Sequence, residues 1–568
     1  MIYFNSWDSD CKAPFGALQC HCSVKFHIKC DGFSDGYIIF NDEYIKMTPS
    51  VDGFVVSKAF DEPGIIFYNF MLISDKGIKV FVNKDFGGTA AYSLYKETSF
   101  QLTVYSSGSK TPTWYKEGIA YQIFPDRFCI GEWINREKDN VHYYDDWFET
   151  PKYIKQNNEI KKWDFFGGNI RGIVEKLPYL KELNISVIYL NPIFEANSNH
   201  RYNTGNYMKI DPILGTEGDF DYLIKKAGEY GIKIILDGVF NHTGADSLYF
   251  NKFGSYPDTG AYQSKDSKYY PWFYFDEFPD KYQSWWGVMD LPRVNSDNED
   301  YRKFIMEGPV KKWTQKGIGG WRLDVADELS DDFLELLYKN VKKINPDSVI
   351  MGEVWEDASN KVSYGKLKSY FTNSELDSVM NYPLRNLLID YVSGNITAFE
   401  IVNSLTSIME NYPYERFMGN FNFLGTHDVE RILTVISGFD EKNKLKILSI
   451  LVMCLFVSPG IPCIYYGDEA GLTGGKDPDN RKTYPWGREN KEVFKIYKNA
   501  SDERNKNNSL KLGKTKYVNY DNVFGIIRFT DFEKSMLFVN PDNFETSFYC
   551  KELQKTITLK PFGYSFIK

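Results

Sequence analysis

From Ile119 onward the chain alternates, eight times, a short apolar run with an amphipathic stretch, and few folds accept that rhythm. The apolar runs fall at 119–125, 187–191, 232–238, 320–326, 349–355, 378–382, 421–426 and 461–466. Between them lie segments such as "NIRGIVEKLPYLKELN", "DFDYLIKKAGEYG" and "DDFLELLYKNVKKI", whose apolar residues recur at helical spacing. Eight β-then-α units predict an α/β fold, a parallel (β/α)8 TIM barrel with insertions. A doubly wound sheet is the alternative, but eight units favour closure.

The flanks read differently. A chain of 568 residues exceeds what one core supports. Residues 1–112 carry short alternating strands between turn signals such as "DGFSDG" and "SDKG", predicting a β-sandwich. "SSGSKTPT" at 106–113 has the composition of a linker, which starts the barrel unit at 113–506. An aromatic-dense insertion at 245–298 follows the third strand, and 507–568 return to short strands as a small β domain.

Four of the eight cysteines crowd the N-terminus, yet "CHCSVKFHIKC" alternates strictly. Cys20, Cys22, Val24, Phe26, Ile28 and Cys30 would share one face, as thiols packed in a half-buried strand rather than a metal cluster. A net charge of −9 argues against a nucleic-acid partner. The longest apolar run, 447–457, is too short for a membrane span. With no basic-then-apolar leader at the N-terminus, a cytoplasmic location is expected.

In a parallel barrel the chemistry sits at the C-terminal ends of the strands. Those ends carry Asp237, Asn241 and His242 after the third strand, Arg322 and Asp324 on the fourth, and Glu353 on the fifth. The seventh runs into His427 and Asp428, and "NSNHRYNTGNY" after the second holds His200 and Tyr202. In a strand, Arg322 and Asp324 would project together, an arginine holding a carboxylate ionised. The histidines lack the i,i+4 spacing of a metal site, and no Ser or Cys sits on a sharp nucleophile turn. Carboxylates in different environments, lined by aromatics, suit glycoside hydrolysis best.

"DGVFNHTG", "GWRLDVADEL", "GEVW" and "FLGTHD", in that order, resemble the four signature regions of the α-amylase family of glycoside hydrolases. "HRYNTGNY", "LDSVMNYP" and "IYYGDEAGL…DPDNR" are similar to its neopullulanase, cyclomaltodextrinase and maltogenic amylase branch, or its amylopullulanase relatives. The resemblance implies a retaining α-glucan hydrolase acting on maltooligosaccharides, cyclodextrins, pullulan or starch. Asp324 would then be the nucleophile, Glu353 the general acid/base, and Asp428 the third carboxylate. His242 and His427 would bind hydroxyls at the same subsite, with Tyr202 beneath that sugar. Arg322 would orient the nucleophile, and Asp477 and Arg481 would contact the next glucose units. A transglycosylase is the rival reading, and a catalytically dead glucan-binding protein a more distant one.

Some positions depart from the family pattern. Its calcium loop after "PDRF" reads "PDRFCIGEW" here, with Ile130 and Glu132 at donor positions, and "FFGGD" reads "FFGGN" with Asn169. Losing a donor and a charge predicts no calcium at this loop, and no cofactor is expected. "HRYNT" has Asn203 where Asp is commoner, and "MDLPRVN" departs from the usual "MPKLN". The aromatic-rich N-terminal sandwich is expected either to bind starch or to mediate a homodimer, the second being preferred.

Overall fold

The computed structural model describes residues 1–106, 108, 110–132, 138, 141–156 and 159–568, with the backbone alone for 154–156 and 159–161. Its centre is a parallel barrel of eight strands. These are β1 (Ala120–Ile123), β2 (Val187–Leu190), β3 (Lys233–Gly238), β4 (Gly320–Leu323), β5 (Val349–Gly352), β6 (Ser378–Val379), β7 (Phe421–Phe423) and β8 (Ile461–Tyr465). They pair in the order β6-β5-β4-β3-β2-β1-β8-β7, and a parallel bridge between Met380 and Phe421 closes the ring. The expected closed barrel is what forms.

The two-residue period of each strand divides its side chains between two cores. Ala120, Val187, Tyr189, Ile235, Val349, Met351, Phe421, Phe423, Ile461 and Cys463 form one cluster inside the barrel. Tyr121, Ile123, Ile188, Leu190, Ile234, Leu236, Trp321 and Leu323 belong to the other, beneath the helices. Carried one step further, the inward parity reaches polar residues: Gln122, Asn191, Asp237, Arg322, Asp324 and Glu353. All six are buried. β4 begins at Gly320, where a Cβ would stand 2.0 Å from the carbonyl oxygen of Val349, so only glycine lets β4 and β5 pair this closely.

Several strands stop earlier than their apolar runs suggest. The 378–382 run keeps only Ser378–Val379, because Asn381 caps a helix at Tyr382–Val392 through its side chain and Pro383 fits the first helical turn. β4 ends at Leu323, and Val325 turns left-handed at φ 38°.

Two sheets make the N-terminal sandwich. One contains Ile2–Tyr3, Ser23–Cys30, Gly53–Ala59 and Thr48–Ser50, with Lys12–Ala13 on its side. The other is built around Gly64–Ser74, and Phe26, Phe40, Tyr68, Phe70 and Phe100 fill the space between them. The alternation holds from Val24 to Cys30 but not at Cys22, which is exposed because His21 turns left-handed (φ 65°) and takes the chain out of the strand. Within the expected linker, Ser107 and Ser109 lie outside the described residues. Its far end is no tether: Thr111 is buried and donates its hydroxyl to the Asp377 carbonyl at 2.9 Å.

The sandwich is docked on the barrel's outer helix Ala398–Asn411. Glu410 there accepts from the Lys12 ammonium at 2.8 Å, the Trp7 indole at 2.9 Å and the Ser6 hydroxyl at 3.1 Å. After a short helix, Asn508–Leu512, the chain ends in a four-stranded antiparallel sheet and a separate hairpin, Thr546–Cys550 with Lys555–Leu559. Among the described residues, no helix is long and apolar enough to cross a membrane.

Candidate active site

A cleft of about 760 Å³ opens at the C-terminal ends of the barrel strands. His200, Tyr202, His242, Asp324, Glu353, His427, Asp428, Asp477 and Arg481 line it, and Arg322 lies fully buried beneath. Ten of the twelve residues singled out from sequence therefore converge on one place.

Arg322 contacts three carboxylates at once. Its NH1 donates to Asp324 Oδ1 at 2.7 Å and to Asp237 Oδ1 at 2.9 Å, while NH2 faces Glu353 Oε2 at 2.8 Å. The sequence pointed only to the Arg322–Asp324 pair. Instead Asp237 sits at the centre, its other oxygen accepting from the hydroxyls of Tyr189 (2.5 Å) and Tyr202 (2.8 Å).

Glu353 is held from two sides. The backbone N–H of Val325 donates to its Oε2 at 2.8 Å, and the Trp355 indole donates to Oε1 at 3.0 Å. A left-handed backbone is unfavourable for a β-branched residue such as Val325, and here it turns the N–H onto that carboxylate. Trp355 is itself stacked on Tyr382, with ring centroids 4.1 Å apart.

The opposite flank is ordered by a hydrogen-bonded chain. Gln122 donates its amide to His427 Nδ1 at 2.9 Å, which leaves the proton of the neutral ring on Nε2. Nε2 then meets the Tyr202 oxygen at 2.6 Å, and Tyr202 passes its own proton toward Asp237. Asn191 donates to the same tyrosine oxygen at 2.9 Å. The Tyr202 ring is thereby fixed parallel to His427, within 5°. Beyond them Arg481 pairs with Asp477 at 3.0 Å and stands 3.7 Å from Asp428. His242 Nε2 is 4.0 Å from Asp324 Oδ2, and the His200 ring lies over Tyr202 at 5.8 Å.

Burial dominates the titration of this cluster. It lowers His200 and His427 well below the ordinary histidine range and brings His242 down to about 4, so all three rings are neutral at pH 7. It raises Asp324 well above the usual aspartate value, with Arg322 opposing and the charges of Glu353 and Asp237 adding. Asp428 is pushed up to about 7, by burial first and then by Glu353. Carboxylates this close titrate together, and the site holds a proton near neutrality that an acid/base cycle can use.

Sequence reasoning missed part of the lining. Trp285, Trp286 and Leu291 come from the 245–298 insertion, and Asp327, Glu328, Trp355, Glu356 and Lys361 from loops after β4 and β5. Trp355 had a readable signal, two residues past a strand-end glutamate; the insertion gives no local sign of which aromatics reach the cleft.

In the loop after β1, the described positions that depart from the calcium pattern are held by the protein itself. Ile130 offers no side-chain oxygen, and Glu132 is exposed. The Asn169 side-chain oxygen is turned onto backbone, accepting from Gly172 N–H at 2.8 Å and Gly131 N–H at 3.1 Å, and so caps the helix Ile170–Glu175. Trp486 anchors the same loop by donating to the Phe128 carbonyl at 2.6 Å. Residues 133–137, in the remainder of this loop, lie outside the described residues.

Comparison with known proteins matches residues 122–514 to the family model "Alpha amylase, catalytic domain". An amylopullulanase of Thermoanaerobacter thermohydrosulfuricus is 37% identical over 90% of this chain, which spans only 39% of that protein. A cyclomaltodextrinase of Thermoanaerobacter pseudethanolicus is 35% identical over 78% of this chain and 74% of its own length. Among solved structures, a cyclic α-maltosyl-(1→6)-maltose hydrolase from Arthrobacter globiformis superposes with a TM-score of 0.71. It is 29% identical and covers 80% of this chain and 99% of its own.

The raised Asp428 makes stability fall with pH. Unfolded, the carboxyl loses its proton near the ordinary aspartate value, whereas the folded state keeps it up to about 7. The cost is absent at pH 4 and complete above 7. Water in the cleft tempers it, since 26% of the side chain is open. Asp428→Asn should therefore melt roughly 1–3 °C above wild type at pH 8, with the gap closing toward pH 4. Thermal melts across that range check it; a gap independent of pH would show that the carboxylate carries no such strain.

Proposed function

We propose that this chain, which belongs to the α-amylase family, hydrolyses α-1,4-glucosidic bonds of short, cyclic or branched α-glucans with retention at the anomeric carbon. The observation that carries this reading is the single guanidinium holding Asp324 beside Glu353. Asp324 attacks the anomeric carbon while Glu353 gives its proton to the departing glycosidic oxygen. Glu353 then takes a proton from water, whose oxygen displaces Asp324 and frees the sugar. Asp428 and the neutral His242 and His427 bind hydroxyls of the reacting ring, and the fixed Tyr202 ring supports its apolar face. Asp477, Arg481 and His200 extend that flank to the preceding glucose units.

The proteins it resembles supply the substrate class, since their names cover pullulan-cleaving and cyclodextrin-cleaving enzymes and a hydrolase of a cyclic maltosyl-maltose. Linkage choice is read from pullulan: panose marks α-1,4 cleavage and maltotriose marks α-1,6 cleavage. Asp324→Asn, nearly isosteric, should lower kcat on maltotriose by about 10⁴-fold with the fold intact. A variant retaining a tenth of wild-type turnover would overturn the assignment.

Calcium is not part of this proposal. Asn169 already spends its carbonyl oxygen on two backbone N–H groups, which supports a loop that folds without the ion. Thermal melts in EDTA and in millimolar calcium chloride are expected to coincide; a clear rise with calcium would refute this.

We place the protein in the cytoplasm, where its eight free thiols would stay reduced. The N-terminal sandwich leaves Tyr92, Leu94 and Tyr95 exposed along one edge, which supports its use as a homodimer contact. Size-exclusion chromatography with light scattering should give twice the chain mass at micromolar concentration; a monomer there ends the dimer proposal.

A further inference from the structure

Two large aromatic rings stand exposed around Glu328, a residue of the cleft lining, against both the hydrophobic effect and their own backbone preference. Trp286, from the insertion after β3, is 80% exposed with φ 48° and ψ 32°. Tyr364, in the loop after β5, is 71% exposed with φ 50°. It occupies, with Gly365 (φ 76°), the turn of a hairpin pairing Val362–Ser363 with Lys366–Leu367. Such turns favour Asn, Asp or Gly at the position tyrosine takes here.

One carboxylate holds both rings. Glu328 Oε1 accepts from the Trp286 indole at 3.1 Å, and its two oxygens share the Tyr364 hydroxyl at 2.7 and 2.6 Å. Only 8% of the Glu328 side chain is exposed, and Arg293 lies 3.9 Å from it and 5.2 Å from the Tyr364 ring centre. The hairpin is tied down as well: Ser363 donates to the Asp327 carbonyl at 3.1 Å, and Lys361 pairs with the Asp327 carboxylate at 3.1 Å. The polar edges of the rings are thus engaged within the protein, while most of each residue stays in solvent. An amphipathic ring of this kind, presented rigidly, suits the apolar face of a sugar.

The polarity of the cleft says which sugar. Arg481 gathers Asp428 and Asp477 on one flank. On another, Trp355 donates to Glu353, and Lys361 pairs with both Asp327, next to Glu328, and Glu356, next to Trp355, which ties the rim to the flank of the acid. The leaving group departs beside the acid that protonates it, so the rim lies on the leaving-group side. Resting on the hydrolase reading above, we propose that Trp286 and Tyr364 form a distal subsite for a glucosyl unit of the leaving portion of the chain, beyond the unit next to Trp355. Glu328 is a positioning residue, with its oxygens committed to the two rings.

A subsite this far out acts only on chains long enough to reach it. Trp286→Ala should lower kcat/KM on maltoheptaose about tenfold while changing it less than about twofold on maltotriose. Trp286→Phe, which keeps a ring face, should recover most of the loss, and Tyr364→Ala should repeat the length dependence. Equal losses on both sugars would make Trp286 a structural residue, and no loss on maltoheptaose would remove the subsite. A wild-type protein that cleaves neither sugar would overturn the hydrolase reading itself, and this one with it.

Discussion

A single guanidinium organises the catalytic end of the barrel. Burying an arginine there is costly unless its charge is paired, and Arg322 pairs it with carboxylates from three successive strands. β3 supplies Asp237, β4 leads into Asp324, and β5 leads into Glu353. Each comes from the same inward parity that fills the layers below with Val, Ile, Met and Phe. The polar cluster is the top layer of a packed core, and the rigidity of that core is passed to the carboxylates it holds.

The rest of the site extends this arrangement by hydrogen bonds. Asp237 is tied to Arg322 on one side and to two tyrosine hydroxyls on the other. Tyr202 in turn aligns His427, which Gln122 fixes in one tautomer. Because burial holds the three histidines neutral, the pH response of the cleft belongs to its carboxyls.

The barrel was legible because its strands are apolar runs, each followed by a helix with one apolar face. What was not legible follows from non-local contact. Apolar composition continues past the last barrel hydrogen bond, so 349–355 overstates a strand that ends at Gly352 and 320–326 one that ends at Leu323. Alternation at "CHC" reads as strand, yet a left-handed His21 puts Cys22 in solvent. Thr111 has linker composition but packs against the turn before β6, a contact made 266 residues away. The charged groups at strand ends could be picked out because charge is rare at such positions. Aromatics are common everywhere in this chain, and composition cannot tell a Trp286 at the rim from a Trp313 in the core.

The cleft therefore draws on two kinds of scaffold. Asp324 and Glu353 emerge from strand ends locked into the barrel, whereas Trp285, Trp286 and Lys361 hang from excursions that begin and end on that frame. A change of length or residue in an excursion alters what the groove will admit without moving Asp324 relative to Glu353. On the hydrolase reading, the glucans accepted can drift by small edits to those loops while the reaction stays as it was. The reverse path is closed, because almost any edit to the charged layer would unsettle the core beneath it.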